Sequence, residues 1–215
     1  MKKTMLTILA ACASAAIFAA DSNNAETKPT PEQVEAKYTA VIDQRSQKIV
    51  DALHLSDTNA AVEVHDIIMT QYRALNDWHN ANDPKIKAAK RDKAAIAKIN
   101  EPLRLMHDQY LAKLAQYLTP EQIETVKDGM TYGKVEFTFK GYCVEYSNLS
   151  EANKQEILKY LKQAREEAMD AGSSDEKSAI FNQYKGKINN YLAKQGIHPD
   201  KWKPKSNSKD AGSTK

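Results

Sequence analysis

The sequence predicts an all-α fold, a bundle of five to six helices with one extended or hairpin excursion near residues 131–146. Apolar residues recur at intervals of three and four along most of the chain, which is the period of a helix buried on one face. Threonine or serine precedes several of these runs, where its side chain can cap the first backbone N–H groups. The stretch from Asp128 to Tyr146 differs, because three glycines and an alternation of apolar and charged residues interrupt the helical period.

The first 20 residues have the layout of a secretory signal. Lys2 and Lys3 precede an apolar run that ends in an alanine-rich segment, which is the order of the charged, apolar and cleavage regions of such signals. The sequence therefore predicts a periplasmic or extracellular protein, with a linker at residues 21–30. The segment from Leu9 to Cys12 also matches a lipobox, and lipidation at Cys12 is the alternative that would bring the protein to a membrane.

Residues 31–198 are predicted to form one helical domain, whose first helices are marked by caps and prolines. Thr30-Pro31-Glu32-Gln33 predicts a helix start, because Thr30 and Gln33 can form a capping box and proline suits the first helical position. This helix should end near His54, and Ser56 is the predicted cap of the second. Asn82-Asp83-Pro84 predicts that the second helix stops and another begins.

Pro102 lies inside the next helical pattern, which runs from Ile96 to Tyr117. An interior proline costs roughly 3 kcal/mol, so we expect a kink or a short break near Asn100. Thr119-Pro120-Glu121-Gln122 repeats the first helix start, and Gly129 is expected to close that helix in a left-handed conformation.

The central stretch is predicted to be extended. Val135, Phe137 and Phe139 alternate with polar residues, which is the pattern of a half-buried strand. Two further helices follow, one starting at Leu149-Ser150 and one capped by Ser173 or Ser174. Gly186 lies inside the last helix, and the gap in side chains there suggests that the central stretch approaches it closely.

Charge argues against nucleic acid as a partner. Seven of the 31 basic residues and one of the 28 acidic residues lie in the leader or beyond residue 200, which leaves 24 against 27, a net charge of −3, in residues 21–200. Nucleic-acid binding needs a concentrated basic face. The Lys-rich tail at residues 199–215 is predicted to be disordered, because it has few apolar side chains.

The run from Arg73 to Asn80 is the strongest candidate for a ligand site. Its members Asn76, Asp77 and His79 surround Trp78 within two helical turns. An aromatic ring can stack on the apolar face of a sugar while amide, carboxylate and guanidinium groups pair its hydroxyls. The alternative is a helix end with a core tryptophan and a local ion pair.

Other candidate residues are scattered. Tyr132 lies beside the central glycines, and Arg165 lies near the end of a later helix. Three histidines could bind a metal, but they have no paired-ligand spacing, so we predict no metal site and no cofactor. Catalytic residues are not assignable, because 28 acidic residues allow many carboxylate pairs.

Several runs of the sequence are distinctive, namely RALNDWHNAND at 73–83, LTPEQIETVKDGMTYG at 118–133, AMDAGSSDEKSAIFNQYKGKINNYL at 168–192 and the pair Gly141-Tyr142. Together they resemble a family of secreted bacterial proteins of unknown function that are described as candidates for sugar binding. The similarity spans about residues 35–197. It implies extracytoplasmic handling of an oligosaccharide or polysaccharide.

The leading hypothesis is a secreted protein that binds carbohydrate or assists in processing it. Stacking is assigned to Trp78 and Tyr132, and hydroxyl pairing to Arg73, Asn76, Asp77, His79 and Arg165. One alternative is a periplasmic helical chaperone or stress-sensor-like protein, since LTPEQ at 118–122 is similar to a short signature of that class. Another is a glycan-acting hydrolase or lyase, so whether the protein is an enzyme stays open.

Overall fold

The computed structural model describes residues 28–201. The predicted signal, most of the linker, Cys12 and most of the Lys-rich tail lie outside these residues. Within them the chain is all-helical, with seven helices and no strand. The helices are α1 (Pro31–Leu53), α2 (Thr58–Ala89), α3 (Lys93–Leu114), α4 (Pro120–Met130), α5 (Lys134–Glu145), α6 (Glu151–Met169) and α7 (Ser174–Lys194).

Most helix starts follow from local capping chemistry. Thr30, Thr119, Ser150 and Ser173 each form a reciprocal capping box with the residue three positions on. Such boxes satisfy backbone N–H groups that have no partner inside the helix. These starts confirm the predictions, whereas α2 is capped by Asp57 instead of the predicted Ser56.

The predicted extended excursion at 131–146 is wrong, since most of it forms α5, and this raises the helix count to seven. Val135, Thr138 and Tyr142 are buried while Phe137 is 78% exposed, so the burial follows the helical period. The alternation covers only three apolar residues, which is too short to distinguish the two-residue period of a strand from the 3.6-residue period of a helix. A helix satisfies its own backbone hydrogen bonds, whereas a lone strand would have left them without partners.

The predicted stop at Pro84 is wrong, and of the kink or short break predicted near Asn100 the break does not occur. Pro84 lies inside α2 and Pro102 inside α3, and neither helix is broken there. The break occurs between them, where Lys90 has a positive φ of 54° and Asp92 caps α3. Extensive packing of α2 against α3 offsets the hydrogen bond that each proline removes.

The buried apolar residues form two clusters. One joins α1, α2, α3 and α4 with Met169 of α6, and the other joins α5, α6 and α7. Helix α6 therefore packs on both sides, and the α6–α7 loop, residues 170–173, lies where the two groups of helices meet. None of the helices within residues 28–201 is long and apolar enough to cross a membrane.

Two expectations about glycines are wrong. Gly186 has no atom within 4 Å of where a Cβ would be, so α5 does not approach it closely. Gly129 lies within α4, and the left-handed residues that follow the helix are Tyr132 and Gly133. Gly129 has a different role: a Cβ there would lie 2.6 Å from Cγ1 of Ile49, so its missing side chain allows α1 to approach α4.

Candidate functional site

Two cavities lie on either side of the α6–α7 loop. We call the first the tryptophan pocket, because Trp78 lines it, and the second the tyrosine crevice, because Tyr38, Tyr72 and Tyr132 line it. Ala171 of the loop contributes to both cavities. The two cavities are therefore neighbours.

The tryptophan pocket has a volume of about 360 Å³. Its apolar wall includes Trp78, Ile86, Leu103 and Ile180, and its polar lining includes His79, Asn100, Glu167, Asp170, Glu176 and Gln183. The Oδ1 atoms of Asn100 and Asp170 are buried and have no hydrogen-bond partner in the described structure. Buried acceptors without a partner are uncommon in proteins, and a small rotation of either side chain toward the cavity would let a ligand donate a hydrogen bond to it.

His79 fixes the wall between the two cavities. Its Nδ1 lies 2.9 Å from Oδ1 of Asp83, and its Nε2 lies 2.8 Å from the backbone oxygen of Asp170. The ring also meets Trp78 edge to face, with the centroids 4.9 Å apart. A Cβ on Gly172 would lie 2.8 Å from the His79 ring. Because both ring nitrogens are engaged, His79 positions the loop and has no nitrogen left for a ligand.

Asp170 connects the loop to α3 as well. Its Oδ2 lies 2.7 Å from Nδ1 of His107. The hydrogen bond that His107 donates to Asp170 raises the pKa of His107 against the opposing effect of burial, and the charge of Glu166 raises it further. The second carboxylate oxygen of Asp170 is the unpartnered atom beside the tryptophan pocket.

The tyrosine crevice is smaller, about 60 Å³, and is polar. Asn76, Arg45, Ser173, Ser174 and Lys177 supply its polar lining. Tyr38 donates a hydrogen bond of 2.9 Å from its hydroxyl to the backbone oxygen of Tyr72, which fixes one wall.

Lys177 is a buried cation at the base of this crevice. Its side chain is 4% exposed, and its ammonium donates to the carbonyl oxygens of Ala168 (2.9 Å) and Met169 (3.0 Å) at the end of α6. Burial lowers the pKa of Lys177 to about 8, with nearby Arg45 adding to the decrease and Asp170 opposing it.

The pKa of Lys177 predicts that stability increases with pH. Between pH 8 and pH 9.5 an unfolded lysine keeps its proton while the folded one releases it, so the free energy of unfolding should rise by about 1–2 kcal/mol. Urea titrations of the wild type and of Lys177→Met at several pH values test this. The rise should be missing in the variant. An equal rise in both proteins would show that another group causes it. The measurements stay below pH 10, because tyrosines ionise above that pH. Burial raises the pKa of Tyr72 to about 12, so its ionisation would lower the free energy of unfolding as the pH rises.

Tyr132 occupies an unusual backbone position. Gly133 donates its N–H to the oxygen of Asp128 (2.8 Å), and Tyr132 donates to Gly129 (3.1 Å), which is the Schellman pattern that ends a helix. Tyr132 stands where glycine is usual, with φ 59°, and this strain costs of order 1 kcal/mol. Its ring is 43% exposed and lies beneath the Arg45 guanidinium, 5.6 Å from the ring centroid.

The structure brings four of the seven predicted site residues to the two cavities. Trp78 and His79 line the tryptophan pocket, whereas Asn76 and Tyr132 line the tyrosine crevice. Trp78 is 8% exposed, and its proposed partner Tyr132 belongs to the other cavity. The two aromatic residues therefore do not line a single pocket.

The remaining three lie in neither cavity. Arg73 pairs with Glu35 of α1 at 2.6 Å and donates to Thr39 at 2.8 Å. Asp77 is exposed on α2. Arg165 is buried and pairs with Glu124 and Asp128 of α4, so its contacts join α4 to α6.

Sequence reasoning missed Arg45, Asn100 and Lys177 at these cavities. Each comes from a different helix, so no local motif connects them. The one usable signal was Lys177 on the buried face of α7, one turn before Phe181 and two turns before Tyr184, where a lysine is unusual.

Within residues 28–201, no group of three or more His, Cys, Asp or Glu side chains is arranged to hold a metal ion.

Comparison with known proteins gives a family without an assigned activity. The comparison with curated proteins finds no match. A family model described as "Protein of unknown function (DUF3826)" matches residues 39–209. The resemblance described from the sequence ended at about residue 197, so the family match extends further toward the C-terminus. That description names neither a ligand nor a location, so carbohydrate binding and secretion stay predictions. Because the match covers most of the chain, the protein belongs to the DUF3826 family of proteins of unknown function.

Proposed function

We propose that this protein binds a carbohydrate in the tryptophan pocket. The observation that carries the proposal is the combination of Trp78 with two buried, unpartnered acceptors, Asn100 Oδ1 and Asp170 Oδ1, around one cavity. Sugar hydroxyls are hydrogen-bond donors, and the C–H faces of a sugar ring are apolar. A cavity with one aromatic wall and several acceptors offers a partner for each kind of group.

The dimensions of the pocket support the same choice. Its volume of about 360 Å³ lies at the lower end of the range for small-molecule sites, which suits one or two sugar rings. Trp78 provides the apolar contact. Asn100 and Asp170 accept hydrogen bonds from sugar hydroxyls, and His79 keeps the Asp170 loop in place through its hydrogen bond to the Asp170 backbone oxygen.

A chaperone would need a broad apolar surface for its clients. The exposed large apolar side chains of the described helices are instead spread over α1, α2, α3 and α5, among them Val62, Leu105 and Phe137. Scattered apolar residues are ordinary on soluble proteins. For this reason carbohydrate binding is the function proposed here.

A side chain that fills the tryptophan pocket should weaken carbohydrate binding without removing any buried contact. Ala179 is an exposed residue of α7 that lines the pocket, so Ala179→Phe should place a ring inside it and weaken binding by about tenfold or more. The matched control is Ala193→Phe, an exposed alanine on the same helix outside the pocket lining.

Tryptophan fluorescence supplies the measurement. The chain has two tryptophans, Trp78 and Trp202, so a Trp202→Phe background leaves Trp78 as the reporter. The protein is titrated with cello-, xylo-, manno-, galacto- and arabino-oligosaccharides and with oligomers of uronic acids. Binding that shifts the emission, persists in Ala193→Phe and is lost in Ala179→Phe is the expected result. Binding that Ala179→Phe leaves unchanged would refute this pocket as the site.

A further inference from the structure

The charges of the tyrosine crevice are of one sign. Arg45 and Lys177 line it, and no aspartate or glutamate of the described residues, 28–201, does. Among residues 28–201, Arg45 has no carboxylate partner, and its identified contact is with the Tyr132 ring. Guanidinium groups at a protein surface commonly pair with carboxylates, so Arg45 is available to an anion.

Lys177 adds a second positive charge that is only partly compensated. An ammonium has three N–H donors, and the carbonyls of Ala168 and Met169 accept two of them. Arg45 is close enough to help lower the pKa of Lys177, so the two cations repel each other. An anion between them would relieve this repulsion.

The start of α7 forms one side of the crevice without adding a free positive charge. Ser173 and Ser174 line the crevice and begin a helix of 21 residues. The N-terminal end of a helix carries a partial positive charge, but here Glu176 accepts the Ser173 N–H and Asp175 is also in the first turn. The positive potential of this small cavity therefore comes from its two cations, Arg45 and Lys177.

Size limits what the cavity can hold. Its volume of about 60 Å³ is well below the roughly 300–1,000 Å³ of cavities that hold small molecules. That is enough for a carboxylate and too little for a sugar ring. The sugar ring fits in the adjacent groove instead. Arg45 and Tyr132 also line this open groove, which lies between α1 and α4 and has a volume of about 540 Å³.

Tyr132 is placed to support such a ring. The strained turn holds its side chain at the boundary between crevice and groove. Backbone strain of this kind is concentrated at functional sites, and an exposed tyrosine ring can stack on the apolar face of a sugar.

We propose that the tyrosine crevice binds the carboxylate of an acidic sugar, so that the carbohydrate ligand contains a uronic acid. The inference rests on the proposed function and specifies its substrate class. Arg45 holds the carboxylate through its guanidinium, Lys177 provides further positive charge, and Tyr132 stacks on the ring. A carboxylate fits better than a larger anion because its two coplanar oxygens match the fork of a guanidinium.

The experiment compares ligands that differ only in charge. Calorimetric titrations use oligogalacturonate, oligoglucuronate and oligomannuronate, each beside its methyl ester, in which the carboxylate is neutral. A sulfated neutral oligosaccharide tests the other common anionic substituent. For at least one sugar the acid should bind about tenfold or more tightly than its ester, as expected for a charge-assisted hydrogen bond.

The variants identify the residue responsible. Arg45 is exposed, so Arg45→Gln should fold normally and bind acid and ester with equal affinity. Arg91→Gln, another exposed arginine outside the crevice lining, should keep the preference. Tyr132→Asn should weaken both ligands, since asparagine tolerates the left-handed turn but lacks the ring, and Tyr117→Asn is its control because Tyr117 is similarly exposed at 39%.

Each result has a distinct meaning. Equal affinity for acid and ester in the wild type, an acid preference that survives Arg45→Gln, or binding of the sulfated sugar alone would overturn the inference. Neutral oligosaccharides that bind in a manner sensitive to Ala179→Phe would then leave the proposed function standing. Conversely, an acid preference that depends on Arg45 but not on Ala179 would support the crevice and reject the tryptophan pocket. Failure of every saccharide to bind overturns both.

Discussion

Replacing Arg165 by alanine should destabilise the protein by about 3–5 kcal/mol. Its side chain is 2% exposed and pairs with Asp128 (2.8 Å), Glu124 (2.5 Å) and Glu166 (3.2 Å). Removing it leaves a cavity between α4 and α6. It also removes the cation that three carboxylates share, although Lys127 still pairs with two of them, Glu124 and Glu166. Urea unfolding followed by circular dichroism measures the change.

Two further variants separate volume from charge. Arg165→Met fills most of the cavity and removes only the cation, so about 2 kcal/mol should be lost. Arg104→Ala removes an exposed arginine whose partner Asp108 is also exposed, and it should cost less than about 1 kcal/mol. If Arg165→Ala costs no more than Arg104→Ala, the ion pairs of Arg165 do not hold α4 against α6.

Gly129→Ala should be the most disruptive change of a single methyl group, costing about 2 kcal/mol despite the higher helix propensity of alanine. The new Cβ would lie 2.6 Å from Cγ1 and 3.2 Å from Cδ1 of Ile49. Ile49 is 4% exposed and is confined by the core of α1 and α4, so relief requires the helices to separate. Thermal and urea unfolding give the difference in free energy.

The control is a glycine without neighbours. Gly141 lies within α5 and has no atom within 4 Å of a new Cβ, so Gly141→Ala should stabilise the protein by about 0.5–1 kcal/mol. In an Ile49→Ala background only the Cβ of residue 49 remains, and the cost of Gly129→Ala should vanish. A cost that is unchanged in that background would rule out the clash with Ile49 as its cause.

Helix starts were predictable because capping is local. The boxes at Thr30, Thr119, Ser150 and Ser173 depend on residues three positions apart, and the sequence contains both partners. The all-helical class followed from the period of the apolar residues, which is also a local property. Helix ends at prolines were less predictable, since Pro84 and Pro102 disrupt a helix only if packing does not compensate.

The central stretch shows how a short pattern misleads. Val135, Phe137 and Phe139 alternate, but Val135, Thr138 and Tyr142 are the residues buried in α5. Three residues are too few to distinguish the two-residue period of a strand from the 3.6-residue period of a helix. The helix forms because α5 packs its buried face against α6. Phe137 is consequently exposed, although its apolar character alone predicts burial.

The candidate site also has features that local sequence predicts and features that depend on tertiary packing. Sequence by itself determined the helical class, the capped starts and the aromatic and polar composition of residues 73–80, because these depend on neighbours along the chain. Tertiary structure decided that Arg73 and Arg165 form ion pairs, that Trp78 and Tyr132 line different cavities, and that Arg45 and Lys177 line the same crevice. Arg45 and Lys177 are 132 positions apart in the sequence and share the crevice because α1, α2 and α7 pack around one loop. Such long-range contacts depend on which side chains become buried together, and no local sequence pattern specifies that.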